Sequence, residues 1–111
     1  MKSWEALLAA ALLAGPAMAQ DPAALKAARL RFGQVATRAV ANFRSADSIA
    51  ENLKAQGSTL HPSLIALRYR IESALDAGEA ALGKGDLETA GEQIKLAEGM
   101  VDKFARRLGG D

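Results

Sequence analysis

Residues 86–109, DLETAGEQIKLAEGMVDKFARRLG, decide the fold. Leu87, Ala90, Ile94, Ala97, Val101, Phe104 and Leu108 recur at alternating spacings of three and four, which draws one apolar stripe along an α-helix. Asp86 is a good N-cap, and Gly109-Gly110 closes the segment. Asp86 and Glu88 at one end, with Lys103, Arg106 and Arg107 at the other, suit the helix macrodipole.

The preceding segment, beginning with Pro62 at a first helical position, places Leu64, Leu67, Ile71, Ala74, Leu75, Gly78, Ala81 and Leu82 on one side and stops at Gly83-Lys84-Gly85. The turn is so short that the two helices must lie antiparallel, and the heptad-like spacing predicts shallow crossing angles. Upstream, Asp21-Pro22 starts a third helix with its stripe at Leu25, Ala28, Phe32, Val35, Ala39, Phe43, Ala46, Ile49 and Leu53. With Gly57 as its C-terminal signal, that helix is near 50 Å long at about 1.5 Å per residue. The expectation is an all-α, antiparallel three-helix bundle. The alternative has four helices, the first breaking near 45–48, because Ser48-Ile49-Ala50-Glu51 reads as a capping box. Gly33, Gly78, Gly91 and Gly99 each cost about 1 kcal/mol relative to Ala within a helix. They are either contact points between backbones or open surface.

The chain has 111 residues, enough for one domain. Half of the residues are apolar, but 25 are Ala and five are aromatic, so the core must be thin. The absence of Cys excludes disulfides, thiolate nucleophiles and Cys-ligated metals. Residues 1–19 read as a secretory signal peptide: Lys2, an apolar run from Ala6 to Gly15, then Pro16 and the small-x-small site Ala17-Met18-Ala19 before Gln20. That run of about ten residues is half the length a membrane-spanning helix needs. Cleavage between Ala19 and Gln20 leaves 20–111 as a single helical domain, and the general secretory route places it in a bacterial periplasm or outside the cell.

Net charge is +1, which predicts no strong attraction to nucleic acid. The charge is nevertheless segregated. Residues 20–46 hold Lys26, Arg29, Arg31, Arg38 and Arg44 against Asp21 alone, whereas 72–102 hold eight carboxylates against Lys84 and Lys95. A basic helix packed beside an acidic hairpin accounts for this. The functional alternatives are a basic face for anionic lipid, peptidoglycan or an acidic partner, or an acidic face for a basic one.

Catalytic groups are sparse. Glu72, Asp76 and Glu79 share a helical face at i, i+4 and i+7, without a calcium-loop pattern, and read as a solvated face. Met100 and His61 lie at positions mismatched by roughly 13 Å along the hairpin axis, too far apart for one haem iron. His61, just before Pro62, reads as a cap of that helix or as a solvent-facing residue. No enzyme activity and no cofactor are expected. The surface aromatic that stands out is Tyr69 between Arg68 and Arg70, since Tyr and Arg are enriched in binding hot spots.

From Ala77-Gly78 through the Gly85-Asp86 turn to Ala90 and Ala97, the spacing of small residues resembles one tetratricopeptide repeat. Ala81 stands where that repeat has a large aromatic, and Asp102 where it has Pro. The resemblance implies a tight antiparallel hairpin and carries over no peptide-binding residues, since one repeat cannot form a solenoid.

The reading that follows is an exported, non-enzymatic protein binding another macromolecule of the cell envelope, or itself, through Arg68, Tyr69 and Arg70 or through the basic face of Arg29, Arg31 and Arg38. A carrier of a small apolar ligand in the inter-helix seam, and a peripheral membrane protein using the basic helix, are the alternatives.

Overall fold

The computed structural model describes residues 21–109, so the expected signal segment, with Ala17, Ala19 and Gln20 as its expected cleavage residues, lies outside the described residues. Three helices and no strand are found among the described residues: α1 (Pro22–Ala55), α2 (Pro62–Lys84) and α3 (Leu87–Leu108). The longest dimension, 53 Å, is set by the 34 residues of α1. Each pair of helices is in contact, most extensively α2 with α3 and least α1 with α2.

Local chemistry explains the boundaries. Asp21 accepts from the backbone N–H groups of Ala23 and Ala24, with Pro22 in the first turn where its missing N–H costs nothing. α1 and α2 end in the same way. Gly57 (φ 78°) and Gly85 (φ 74°) adopt the left-handed conformation. The next N–H then bonds back to the preceding turn, Ser58 to Leu53 O at 2.8 Å and Asp86 to Ala81 O at 2.9 Å. Asp86 caps α3 through the N–H of Thr89, and His61 caps α2, its Nδ1 accepting from the N–H of Ser63 at 3.1 Å.

α1 is continuous, so the four-helix alternative is wrong. The potential capping box at Ser48 is overridden by burial on its N-terminal side: Ala46 is fully enclosed, and the ring of Phe43 meets Phe104 edge-on with centroids 5.5 Å apart. A break there would remove both from the core, and tertiary burial outweighs the few tenths of a kcal/mol at stake in local propensity.

The core follows the three stripes. Leu25, Phe32, Val35, Ala36 and Ala39 of α1 meet Ile71, Leu75 and Leu82 of α2 and Ala90, Ile94, Ala97, Val101 and Phe104 of α3. Of the helix glycines, Gly78 is the contact point. A Cβ there lies 3.4 Å from the Phe32 ring and 3.7 Å from Cβ of Gln93, whereas Gly33, Gly91 and Gly99 face open space.

Candidate functional site

The segregated charges meet across the α1–α3 edge. Arg31 donates from Nε and Nη2 to the two carboxylate oxygens of Glu98, at 3.2 and 2.5 Å, and Arg38 pairs with Asp102. These pairs advance in the same direction along both helices, as parallel helices require. The Arg31 bond holds the Glu98 carboxyl below its ordinary value of 4.5 and raises the Arg31 guanidinium. The Asp86 carboxyl is lowered by its bond to Thr89. Two of the three candidate cations of the basic face, Arg31 and Arg38, are thus engaged within the bundle. Arg29 is half-buried.

Arg68, Tyr69 and Arg70 do not form one patch. Successive helical residues point about 100° apart, and α2 distributes these three accordingly. Arg68 turns toward α1: its guanidinium lies 4.5 Å from the centroid of the Phe43 ring, Nη1 donates to Asp47 Oδ1 at 2.7 Å, and Nε is 3.9 Å from Glu72 Oε2. Tyr69 is 69% exposed, and Arg70 is exposed on a further side of the helix.

Beside Arg68 lies a cleft of about 290 Å³. Ala46, Leu64 and Phe104 belong to the core at its floor, Leu60 extends its apolar surface, and Ile65, Arg68, Tyr69 and Glu72 complete the lining. Ile65 is 45% exposed, a large apolar side chain next to an exposed aromatic one.

Glu72 corrects the expectation of a solvated acidic face. It is 8% exposed and is the one buried charged side chain among the described residues, while Asp76 is exposed and Glu79 half-buried. Burying a carboxylate is costly without compensation, and the adjacent guanidinium of Arg68 supplies part of it. Ile65, Arg68, Tyr69 and Glu72 recur at i, i+3, i+4 and i+7. This is a second stripe on α2, rotated away from the first, and its mixture of apolar and charged side chains hides it from apolar periodicity.

No group of three or more His, Cys, Asp or Glu among the described residues is placed to hold a metal ion, and no helix there is long and apolar enough to cross a membrane. Fold and site together define a slender helical bundle with a mixed apolar and charged cleft on one edge. No family model, curated protein or solved structure matches the chain. The tetratricopeptide likeness therefore rests on one hairpin, in which Gly78, Ala90 and Ala97 are buried as that likeness implies.

Proposed function

We propose that the chain is a non-enzymatic binding protein, exported through its 1–19 segment, that engages another macromolecule of the cell envelope through the second stripe of α2. The observation that carries this reading is the placement of Ile65 and Tyr69, exposed and adjoining an apolar cleft, around a guanidinium already fixed by Asp47 and Phe43. An aromatic and an aliphatic anchor next to a preorganised charge is the composition of an interaction hot spot. The charged residues elsewhere have structural duties that support a non-catalytic reading: Glu98 and Asp102 orient α1, and Asp86 caps α3.

A photo-crosslinking residue at position 69 tests the proposal. The expected result in producing cells is a discrete adduct absent when the probe sits at Thr37, exposed on α1. The same adducts from both positions, or none from position 69, overturn it.

A small apolar ligand is the second reading, favoured by the cleft volume, which approaches the lower end of ligand pockets at roughly 300 Å³. The membrane reading draws less support, because freeing the basic face for lipid requires Arg31 and Arg38 to leave Glu98 and Asp102.

A further inference from the structure

The outer side of α3 carries a pattern of its own, away from the core stripe. Glu88, Glu92, Leu96, Gly99, Lys103 and Arg107 recur at spacings of three and four, so they share one face of the helix. All but Arg107 are exposed, and Leu96, at 52%, is the large apolar side chain among them. None of these charges takes part in the ion pairs that hold α1 against its neighbours. The macrodipole accounts for acid in the first turn and base in the last, but Glu92 and Lys103 lie further inside the helix than its effect reaches.

The order of charges on this face reverses about the helix centre. On either side of the point midway between Ala97 and Glu98, Leu96 is matched by Gly99, Glu92 by Lys103 and Glu88 by Arg107. When the same face of a second copy is laid antiparallel across it, a two-fold axis through that point sets every acid beside a base. Glu92 then meets Lys103 twice, once on each side of the axis, and Glu88 comes beside the basic last turn of Arg106 and Arg107. The two Leu96 side chains fall about 4.5 Å apart along the helix direction. Met100, one turn on and packed against the core, extends their apolar contact. A parallel pairing would instead oppose acid to acid and base to base. The contact is made by side chains at the usual interaxial distance of about 8–10 Å, and it makes no demand for glycine at 99.

We infer that α3 pairs with α3 of a second copy, antiparallel and centred on Leu96. This face shares no residue with the lining of the α2 cleft, so the inference stands apart from the binding reading above. One helix face from each copy is a small contact, at the weak end of specific interfaces, and gives a reversible monomer–dimer equilibrium instead of a permanent dimer.

Sedimentation equilibrium of the chain purified from producing cells, from micromolar to millimolar concentration, tests the pairing. The expected result is a monomer–dimer equilibrium. Glu92→Lys and Lys103→Glu each place like charges at both symmetric contacts and weaken dimerisation by about tenfold or more. The two changes together restore it, because the pairs re-form with their signs exchanged. Glu51→Lys, the same charge change at an exposed position of α1, leaves dimerisation as it is. Leu96→Asp abolishes it, with circular dichroism confirming that every variant keeps its helices. A monomer at all concentrations overturns the inference, as does a dimer indifferent to Leu96→Asp, which pairs through another face. Failure of the double variant to recover refutes the antiparallel register and the inference with it. If Glu51→Lys weakens association as much as Glu92→Lys, net charge governs it and the inference falls.

Discussion

Replacing Gly33, Gly91 and Gly99 by alanine tests whether the bundle closes on itself as described. A Cβ at any of the three meets nothing within 4 Å, so each change adds helix propensity without a packing cost. The gain is about 1 kcal/mol per site, about 3 kcal/mol for the triple variant if the sites act independently. For a domain of this size that is a rise in Tm of about 12–24 °C. Gly78 provides the contrast. Its added Cβ comes to 3.4 Å from the fully buried Phe32 ring, the near edge of van der Waals contact, so there is no spare room and the net gain is smaller than at the three open positions. Urea unfolding followed by circular dichroism, repeated over a range of protein concentrations, measures all four. Losses at Gly33, Gly91 or Gly99, or gains that vary with concentration, refute the reasoning. They mean that those backbone positions pack against something outside the chain, most simply a second copy.

Arg68→Ala removes a cation from Phe43, a hydrogen bond from Asp47 and the guanidinium beside buried Glu72; a loss of about 1–3 kcal/mol is expected by chemical denaturation, larger than the same change at the exposed Arg70. The Glu98 carboxyl is lowered by Arg31, so its contribution is present above the unfolded value of 4.5 and is lost as pH falls through the lower folded value. Thermal unfolding between about pH 5 and pH 2 should show this loss, and Arg31→Met should make the acid slope shallower; an unchanged slope contradicts the assignment. Because both side chains are partly solvated, the pair contributes no more than about 1 kcal/mol at neutral pH. Mass spectrometry of the exported chain is expected to show Gln20 as the first residue, and retention of Met1 in a chain outside the cytoplasm refutes the signal-peptide reading.

The three helices were legible because their signals are local. Asp21-Pro22, Pro62, Gly85-Asp86 and the stripe from Leu87 to Leu108 each act over a turn or two, and the structure uses them as read. The continuity of α1 was ambiguous for the same reason. The capping signal at Ser48 is local, but what overrides it is the packing of Phe43 on Phe104, from the other end of the chain. The site was legible only in part. Tyr69 stood out as a surface aromatic, but Arg68 belongs to the cleft through partners on α1, which spacing along α2 cannot reveal. Glu72 looked solvated because the first stripe of α2 faces α3 and much of the core. Its burial follows from the second stripe, and the i, i+4 pair Ile65 and Tyr69 was the available signal for that stripe.

The charge segregation bears on the cleft through register. The seam beneath α1 is rich in alanine, with Ala36, Ala39 and Ala46 fully buried, and small side chains interlock weakly along a helix axis. Exposed ion pairs contribute little to overall stability, yet like-charge or unpaired alternatives disfavour a shifted alignment. Arg31 with Glu98 and Arg38 with Asp102 fix α1 against α3 on one edge, and Arg68 with Asp47 fixes it against α2 on the other. A slip of one turn, about 5.4 Å, would part all three pairs and move Phe43 off both Phe104 and Arg68. The floor of the cleft combines Ala46 of α1 with Phe104 of α3, so its shape depends on this alignment. The basic and acidic halves of the sequence therefore shape the cleft indirectly, by holding a smooth helix at the one register in which the proposed binding surface exists.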